Sequence, residues 1–399
     1  MSLPSTPHLN VRIRQAPVGQ GGLCWGKLSS PAHTITWVYD CGSNQNEPLI
    51  AEIQTIPRTI DLLFISHLDD DHISGLDTLL TNRNVKEIVL PYLTDEVRVL
   101  IAARAVSRGR VTGALVDLLL DPVAWFAERG VQSVVTVGWP DEDGEGPTFE
   151  LPREPVPPGD GPLRLKWGRP TQSTPKVHGA QKTPADVPLL IAADGPGGGG
   201  CIDYVFIPHV HPPKLRLLKA FASELRKCFP LKTLEQIVNA ARNEAGRALL
   251  RQCYEQIWAD HNLISMSLYA GPTGQGSGWN TDLPEEWPHF TWQDKAGWIS
   301  TGDASFSAEV RRRLFARAFS AVCDQVSVLV APHHGSALSW HPGVLAPLTN
   351  LKVGLAAAGP NGYGHPHSGV RDDFLRTGRD FQQVSEKPST AFTLRAWTI

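Results

Sequence analysis

The 399-residue chain lacks any CxxC pair among its six cysteines, Cys24, Cys41, Cys201, Cys228, Cys253 and Cys323. Their scatter excludes a disulfide scaffold or a cysteine-rich zinc module, and a chain of this length folds without staples, which points to a reducing cytoplasm. Nor does any stretch approach the ~20 apolar residues that cross a bilayer. The opening MSLPSTPHLNVRIRQ has neither the basic start nor the apolar core of a secretory signal. The chain is therefore expected to be cytoplasmic, with no membrane contact. A charge excess is also missing: Lys+Arg 37 against Asp+Glu 40 leaves −3. The chain is no polycation, so contact with nucleic acid requires a local basic patch.

What is present is ordinary for a globular protein: 41% hydrophobic residues, 19% charged and a mean hydropathy of −0.17. Disorder, collagen and coiled coil are excluded, and no repeat of 20–50 residues is visible. Strand-like runs at 11–15, 35–40, 62–66 and 87–92 alternate with helical patterns at 73–82, 93–106 and 114–128. Strand signals return at 263–270, 297–302, 326–332, 353–358 and 391–397, with a helix at 304–319. Such alternation suits a layered α/β architecture. Between the halves, 12 of the 33 prolines fall from Pro140 to Pro196, marking an irregular excursion. A short strand at 204–208 and helices at 213–229 and 232–260 follow. His209 and His211, just before Pro212-Pro213, are expected on a plain surface turn.

The densest chemistry lies in Ile65-Ser66-His67-Leu68-Asp69-Asp70-Asp71-His72-Ile73-Ser74-Gly75-Leu76, after an apolar strand and opening a helix. Two imidazoles and three carboxylates within six residues repel one another unless a cation compensates them. A solvated acidic turn capping the helix is the plainer alternative.

His67-x-Asp69-x-Asp71-His72 resembles the H-x-[HD]-x-D-H signature of the metallo-β-lactamase-fold hydrolases. Four further blocks stand in that family's order: Val38-Tyr39-Asp40-Cys41-Gly42, Ser300-Thr301-Gly302-Asp303, Ala331-Pro332-His333-His334-Gly335-Ser336 and Gly364-His365-Pro366-His367. The aspartate at position 69, the His-His-Gly-Ser block and Asn361-Gly362-Tyr363-Gly364-His365-Pro366 are most similar to the hydrolase domain of ComEC-like DNA-uptake proteins. The resemblance spans roughly residues 10–130 and 261–399. It implies a four-layer αββα sandwich, with 1–138 and 261–399 as two halves of one domain. Residues 139–260 are expected to decorate it as an insertion, open to a protein partner.

By the same resemblance, Asp71, His72, Asp303 and His365 hold one metal ion, His67 and Asp69 begin a second site, and Asp303 bridges. His261 is a candidate further ligand; Asn262 and Ser265 match an Asn-x-x-Ser alternative there, facing the substrate with Ser336. His333 or His334 is expected to assist a leaving oxygen, with His333 nearer the metals, since neighbours on a strand end point to opposite sides. Three carboxylates beside imidazoles suit two divalent ions, Zn²⁺ or Mn²⁺ with Mg²⁺ possible. A two-metal site of net positive charge, activating a bridging hydroxide with Asp71 beside it, suits phosphodiester cleavage in DNA or RNA. Hydrolysis of a small ester, thioester or lactone by the same site is the alternative, and a non-catalytic binding module the third reading. Basic residues at Lys214, Arg216 and Lys219, or from Arg311 to Arg313 with Arg317, could position a polyanion, although each group reads more simply as solvated surface.

Overall fold

A computed structural model describes residues 9–140, 151–159, 161–169, 172–173, 180–195, 198–256, 264–276, 278–282 and 295–398. Two sheets dominate it. In the first, the order is Trp279–Asp282, Phe392–Thr398, Asn10–Gln15, Gly21–Ser29, Thr34–Ser43, Thr59–Phe64, Asn84–Pro91, Ser133–Val137, Gln181–Thr183, Gln172–Ser173. From Thr34–Ser43 to Gln181–Thr183 the neighbours are parallel. The apolar run 62–65, wholly buried, fits a strand covered on both faces. In the second sheet the order is Asp380–Val384, Val353–Ala357, Val326–Val330, Gly297–Ser300, Ser265–Gly271, Gly198–His211, Leu189–Gly195, Arg164–Trp167.

The sheets pack face to face. Phe206 of the second meets Trp37 and Phe64 of the first, at ring separations of 5.7 and 5.6 Å. The Tyr39 hydroxyl donates to the Met266 carbonyl at 2.6 Å, so its polar tip is satisfied inside the apolar seam. Helices cover the outer faces. Asn46–Thr55, Leu76–Asn82 and Asp95–Ser107 lie on the first sheet's side, where their leucines and valines join the main core. Glu309–Ala318 and Ser368–Arg376 close the second sheet through Phe315 and Phe374. The expected four-layer arrangement is present.

The tract 139–260 is no mere decoration. Gly198–His211 pairs in register with Ser265–Gly271, from Val205↔Gly271 to His211↔Ser265, and is an interior strand of the second sheet. The expected strand at 204–208 is its middle; the glycines before it and the histidines and prolines after it concealed the full length, whose stability comes from pairing on both edges. The tract's helices Leu215–Cys228, Leu234–Ala240 and Glu244–Glu255 stand outside the sheets and pack on the helix Asp95–Ser107.

The same strand overturns the surface-turn reading of His209 and His211. With a period of two, Phe206 faces the partner sheet while Val205, Ile207, His209 and His211 face the opposite way. That way lies a buried aromatic layer: His211 stacks on Phe315 and lies edge-on to Phe306, and His209 lies edge-on to Phe319. His209 is further paired with Asp186 at 2.7 Å. Arg311 is likewise buried, donating to the Pro212 carbonyl, and takes no part in a basic surface.

Candidate metal centre

The side chains expected to carry chemistry gather at the carboxyl ends of parallel strands from both sheets, the usual place for a site in α/β folds. The first sheet delivers Asp40 at the end of Thr34–Ser43, and the loop after Thr59–Phe64 carries Ser66 to His72. Asp303 follows Gly297–Ser300, and His333 and His334 follow Val326–Val330.

Asp40 organises the imidazoles. Completely buried and at φ 57, it accepts the Ser66 amide on Oδ1 and the Ser66 hydroxyl on Oδ2, both at 2.6 Å, and His72 Nδ1–H on Oδ2 at 2.8 Å. Because the Ser66 proton is committed to Asp40, Ser66 Oγ accepts from His67 Nδ1–H at 2.8 Å. His334 Nδ1–H donates to the Ala357 carbonyl at 2.8 Å. When neutral, all three rings are thereby held in the tautomer whose Nε2 carries a lone pair, the usual way a second set of groups prepares imidazoles for a metal.

Those Nε2 atoms converge on Asp303. Its Oδ1 lies 3.2 Å from His72 Nε2 and 3.7 Å from His334 Nε2; its Oδ2 lies 3.5 Å from His67 Nε2 and 3.6 Å from His333 Nε2. Asp71 Oδ2 sits 3.3 Å from His334 Nε2. His67, His72 and His334 Nε2 and Asp303 Oδ1 are buried without a hydrogen-bond partner. Four orphaned acceptors aimed at one volume are costly in a folded protein, and a divalent cation would satisfy them together. Two overlapping sets, His67-His72-Asp303 and Asp71-His72-His334, each gather their ligand atoms within 4.8 Å.

Against the burial of both rings, Asp303 and Asp40 raise the His72 imidazole and Asp71 and Asp303 raise that of His334 above the ordinary pKa, so the carboxylates draw positive charge into the cluster. Burial disfavours charge on Asp303, yet the imidazoles of His333, His72 and His67 outweigh it and hold the carboxyl well below the usual range. Burial likewise opposes the charge on Asp71, and the nearby imidazoles of His334 and His72 again hold the carboxyl down. Burial and the adjacent His333 and His334 push His365 down to about 4.

Local backbone geometry explains the placement of the two histidines. His333 and His334 both adopt left-handed conformations, φ 50 and 59, followed by Gly335 at φ 82. Each such non-glycine residue costs about 1–2 kcal/mol, and the strain turns both rings to the same side. The expectation of opposite directions fails because these residues form a tight turn, not an extended strand end. Both Nε2 atoms lie at similar distances from Asp303, but His334 is buried beside Asp71 and His72, whereas the His333 side chain keeps 22% of its surface exposed.

Other expectations divide. His365 lines the cavity with its ring 5.4 Å from that of His333, and it is His334, not His365, that stands against Asp71 and His72. Ser265 is buried and accepts the Asp303 amide at 3.0 Å, so it positions the aspartate and does not face substrate. Ser336 lines the cavity although nearly buried. His261 and Asn262 lie outside the described residues. Asp69 reaches within 3.8 Å of His67 Nε2, but both its oxygens engage Arg104, at 2.9 and 2.7 Å, and Arg108 adds a contact at 3.3 Å. Asp40, Ser66, Arg104 and Arg108 received no role from sequence. The Val38–Gly42 block pointed toward Asp40, whereas nothing in the spacing of the arginines singled them out.

Above the cluster opens a cavity of about 520 Å³, lined among others by Asp71, Arg108, Arg110, Asp303, His333 and His365. Trp25, Trp37, Trp279, Trp298 and Trp340 are buried in the cores and offer no stacking surface to it; Trp287 and Trp292 lie outside the described residues. No helix among the described residues is long and apolar enough to cross a membrane.

Residues 34–162 match the family model described as metallo-beta-lactamase superfamily. Ribonuclease BN of Escherichia coli O17:K52:H18 is 30% identical over 99 residues, 24% of this chain and 31% of that protein. The Escherichia coli O7:K1 protein of the same name is 38% identical over 64 residues, 16% and 21%. The chain thus matches a third or less of the length of these relatives. Among solved structures, human tRNase Z short form aligns over 80% of this chain and 76% of its own at 12% identity and a TM-score of 0.32. YhfI from Bacillus subtilis, titled a metallo-beta-lactamase fold protein, aligns over 97% and 99% at 10% identity and a TM-score of 0.34. Two facing sheets under helical layers, with the His/Asp cluster at their shared edge and the family match across the segment that carries His67 to His72, give this chain the metallo-β-lactamase fold.

Proposed function

We propose that the chain is a divalent-metal-dependent hydrolase that cleaves phosphodiesters of DNA or RNA. The observation that carries this reading is the set of orphaned atoms: three buried Nε2 lone pairs and Asp303 Oδ1, held ready by Asp40, Ser66 and Ala357. Asp71, His72, His334 and Asp303 would hold one ion; His67, with the other oxygen of Asp303, faces a second. The carboxylate-rich donor set fits Zn²⁺, Mn²⁺ or Mg²⁺. A pair of such ions supplies, when bound, a water acidic enough to attack at neutral pH and a counter-charge for phosphate oxygens.

The chain's own groups do the rest. Asp303, spanning both oxygens' neighbours, keeps the cluster together. His333 stands at the open side of the cluster, and its position on the cavity wall suits proton transfer to a departing oxygen. Arg108 and Arg110 place positive charge on the same wall, which favours an anionic substrate. The local identity with Ribonuclease BN supports a nucleic-acid substrate.

The test is hydrolysis of labelled single- and double-stranded DNA and RNA, with a nitrophenyl ester beside them, after chelation and add-back of Mn²⁺, Mg²⁺ or Zn²⁺. Metal-dependent cleavage of a nucleic acid, abolished in Asp303→Ala, is expected. Cleavage of the ester alone, or activity that survives both chelation and Asp303→Ala, would refute the reading.

A further inference from the structure

The signature at 67–72 implies that Asp69 is a metal ligand, but the side chain is already engaged. Arg104 grips it in a bidentate pair, Nη1 to Oδ1 at 2.9 Å and Nη2 to Oδ2 at 2.7 Å. Arg108 approaches Oδ2 at 3.3 Å. Arg104 and Arg108 are four residues apart at the end of the helix Asp95–Ser107, so one helix face presents both. That helix is braced from outside by Leu215–Cys228, Leu234–Ala240 and Glu244–Glu255. Paired bidentate hydrogen bonds to a charged carboxylate are the strongest of their kind, and withdrawing Asp69 would deprive a buried guanidinium of its counter-charge.

We infer that Arg104 withholds Asp69 from the metal shell, so that the two lobes of the centre bind divalent ions with very unequal affinity. The lobe at Asp303 Oδ1 has Asp71, His72 and His334: two carboxylates and two imidazoles. The lobe at Oδ2 has His67, with His333 on its open side, and shares only the Asp303 charge. The charge that Asp69 would have added there is cancelled by Arg104 and opposed further by Arg108. A further imidazole would not redress the balance, being neutral. The first ion therefore enters the Asp71-His72-His334-Asp303 lobe, and the second binds weakly unless Asp69 is released.

This inference rests on the metal-dependent reading above, and a titration of the chelator-stripped full chain with Mn²⁺ separates the two. The unaltered protein is expected to bind one ion tightly and any second at least tenfold more weakly. Asp69→Asn should keep the tight ion at unchanged affinity, and Arg104→Met should tighten the second tenfold or more. Two equivalent ions in the unaltered protein, or loss of the tight ion in Asp69→Asn, would overturn the inference while leaving the metal-dependent reading intact. No Mn²⁺ binding at all would overturn both. The isotherm of the unaltered protein decides the matter even if either variant fails to fold.

Discussion

Asp40 touches no part of the cavity, yet three hydrogen bonds to its carboxylate determine which nitrogens of His67 and His72 carry protons. Replacing such an outer group commonly costs 10–100-fold in metal affinity. Asp40→Asn offers an amide where His72 Nδ1–H and the Ser66 hydroxyl both need an acceptor. The expected result is a fall in Zn²⁺ or Mn²⁺ affinity of about 10–100-fold, measured by competition with a chromophoric chelator; an unchanged affinity would show that the imidazoles orient themselves. His333 and His334 can be separated in the same way. His334→Ala removes a buried imidazole from the Asp71 lobe and should lower metal content and turnover together. His333→Ala should retain the tightly bound ion while turnover drops by roughly 10²–10⁴-fold, the scale of a positioned general acid. That drop should be smaller for a substrate leaving as a nitrophenolate, which needs no proton. Equal metal loss in both variants would make His333 a ligand only.

At the scale of elements, what could be read in the sequence follows contact range. The 65–76 block packs its chemistry into one turn, and the apolar strands at 62–66, 326–332 and 353–358 announce themselves by composition; all are found close to the expected places. What stayed hidden depends on partners far along the chain. Asp69 meets Arg104 across 35 residues, Gly198–His211 becomes an interior strand only by pairing with Ser265–Gly271, and the turn of His333 and His334 depends on left-handed backbone at two histidines. Gly302 is similar: at φ 53, a Cβ there would meet Ser265 Oγ at 2.5 Å, so the turn into Asp303 needs glycine. The interior strand also carries a pH-dependent component. Burial, reinforced by His209 and Arg311, holds the His211 imidazole well below its usual pKa, so it stays neutral in the folded chain. Below about pH 6.5 the unfolded chain takes up a proton that the folded chain refuses, and stability falls by up to about 1.4 kcal/mol per pH unit from this group until the folded imidazole titrates. Melting temperatures from pH 8 to pH 5 should decline less steeply for His211→Gln than for the unaltered protein. Parallel curves would mean that His211 is protonated when folded.

For the molecule as a whole, the centre is a junction between sheets. Asp40, Ser66, His67, Asp71 and His72 arrive from the first sheet and Asp303, His333 and His334 from the second, with Tyr39 to Met266 and Ser265 to Asp303 tying the edge nearby. A cation bound to both sets can exist only while the two sheets face each other, so its binding energy is added to the stability of the folded chain. At a free concentration 100-fold above its dissociation constant, the gain is about 2.7 kcal/mol. The melting temperature of chelator-treated protein should therefore rise with added Mn²⁺ or Zn²⁺ and keep rising logarithmically above saturation. Asp303→Ala should flatten that dependence. Its metal-free melting temperature should lie below that of the unaltered metal-free protein, because the imidazoles hold the folded Asp303 carboxyl in its charged form and that contribution is lost, so the dependence on metal, and not the starting value, is the readout. If the Asp303→Ala protein gains as much from metal as the unaltered chain, the stabilising ion binds elsewhere and the sheets are not joined through this centre.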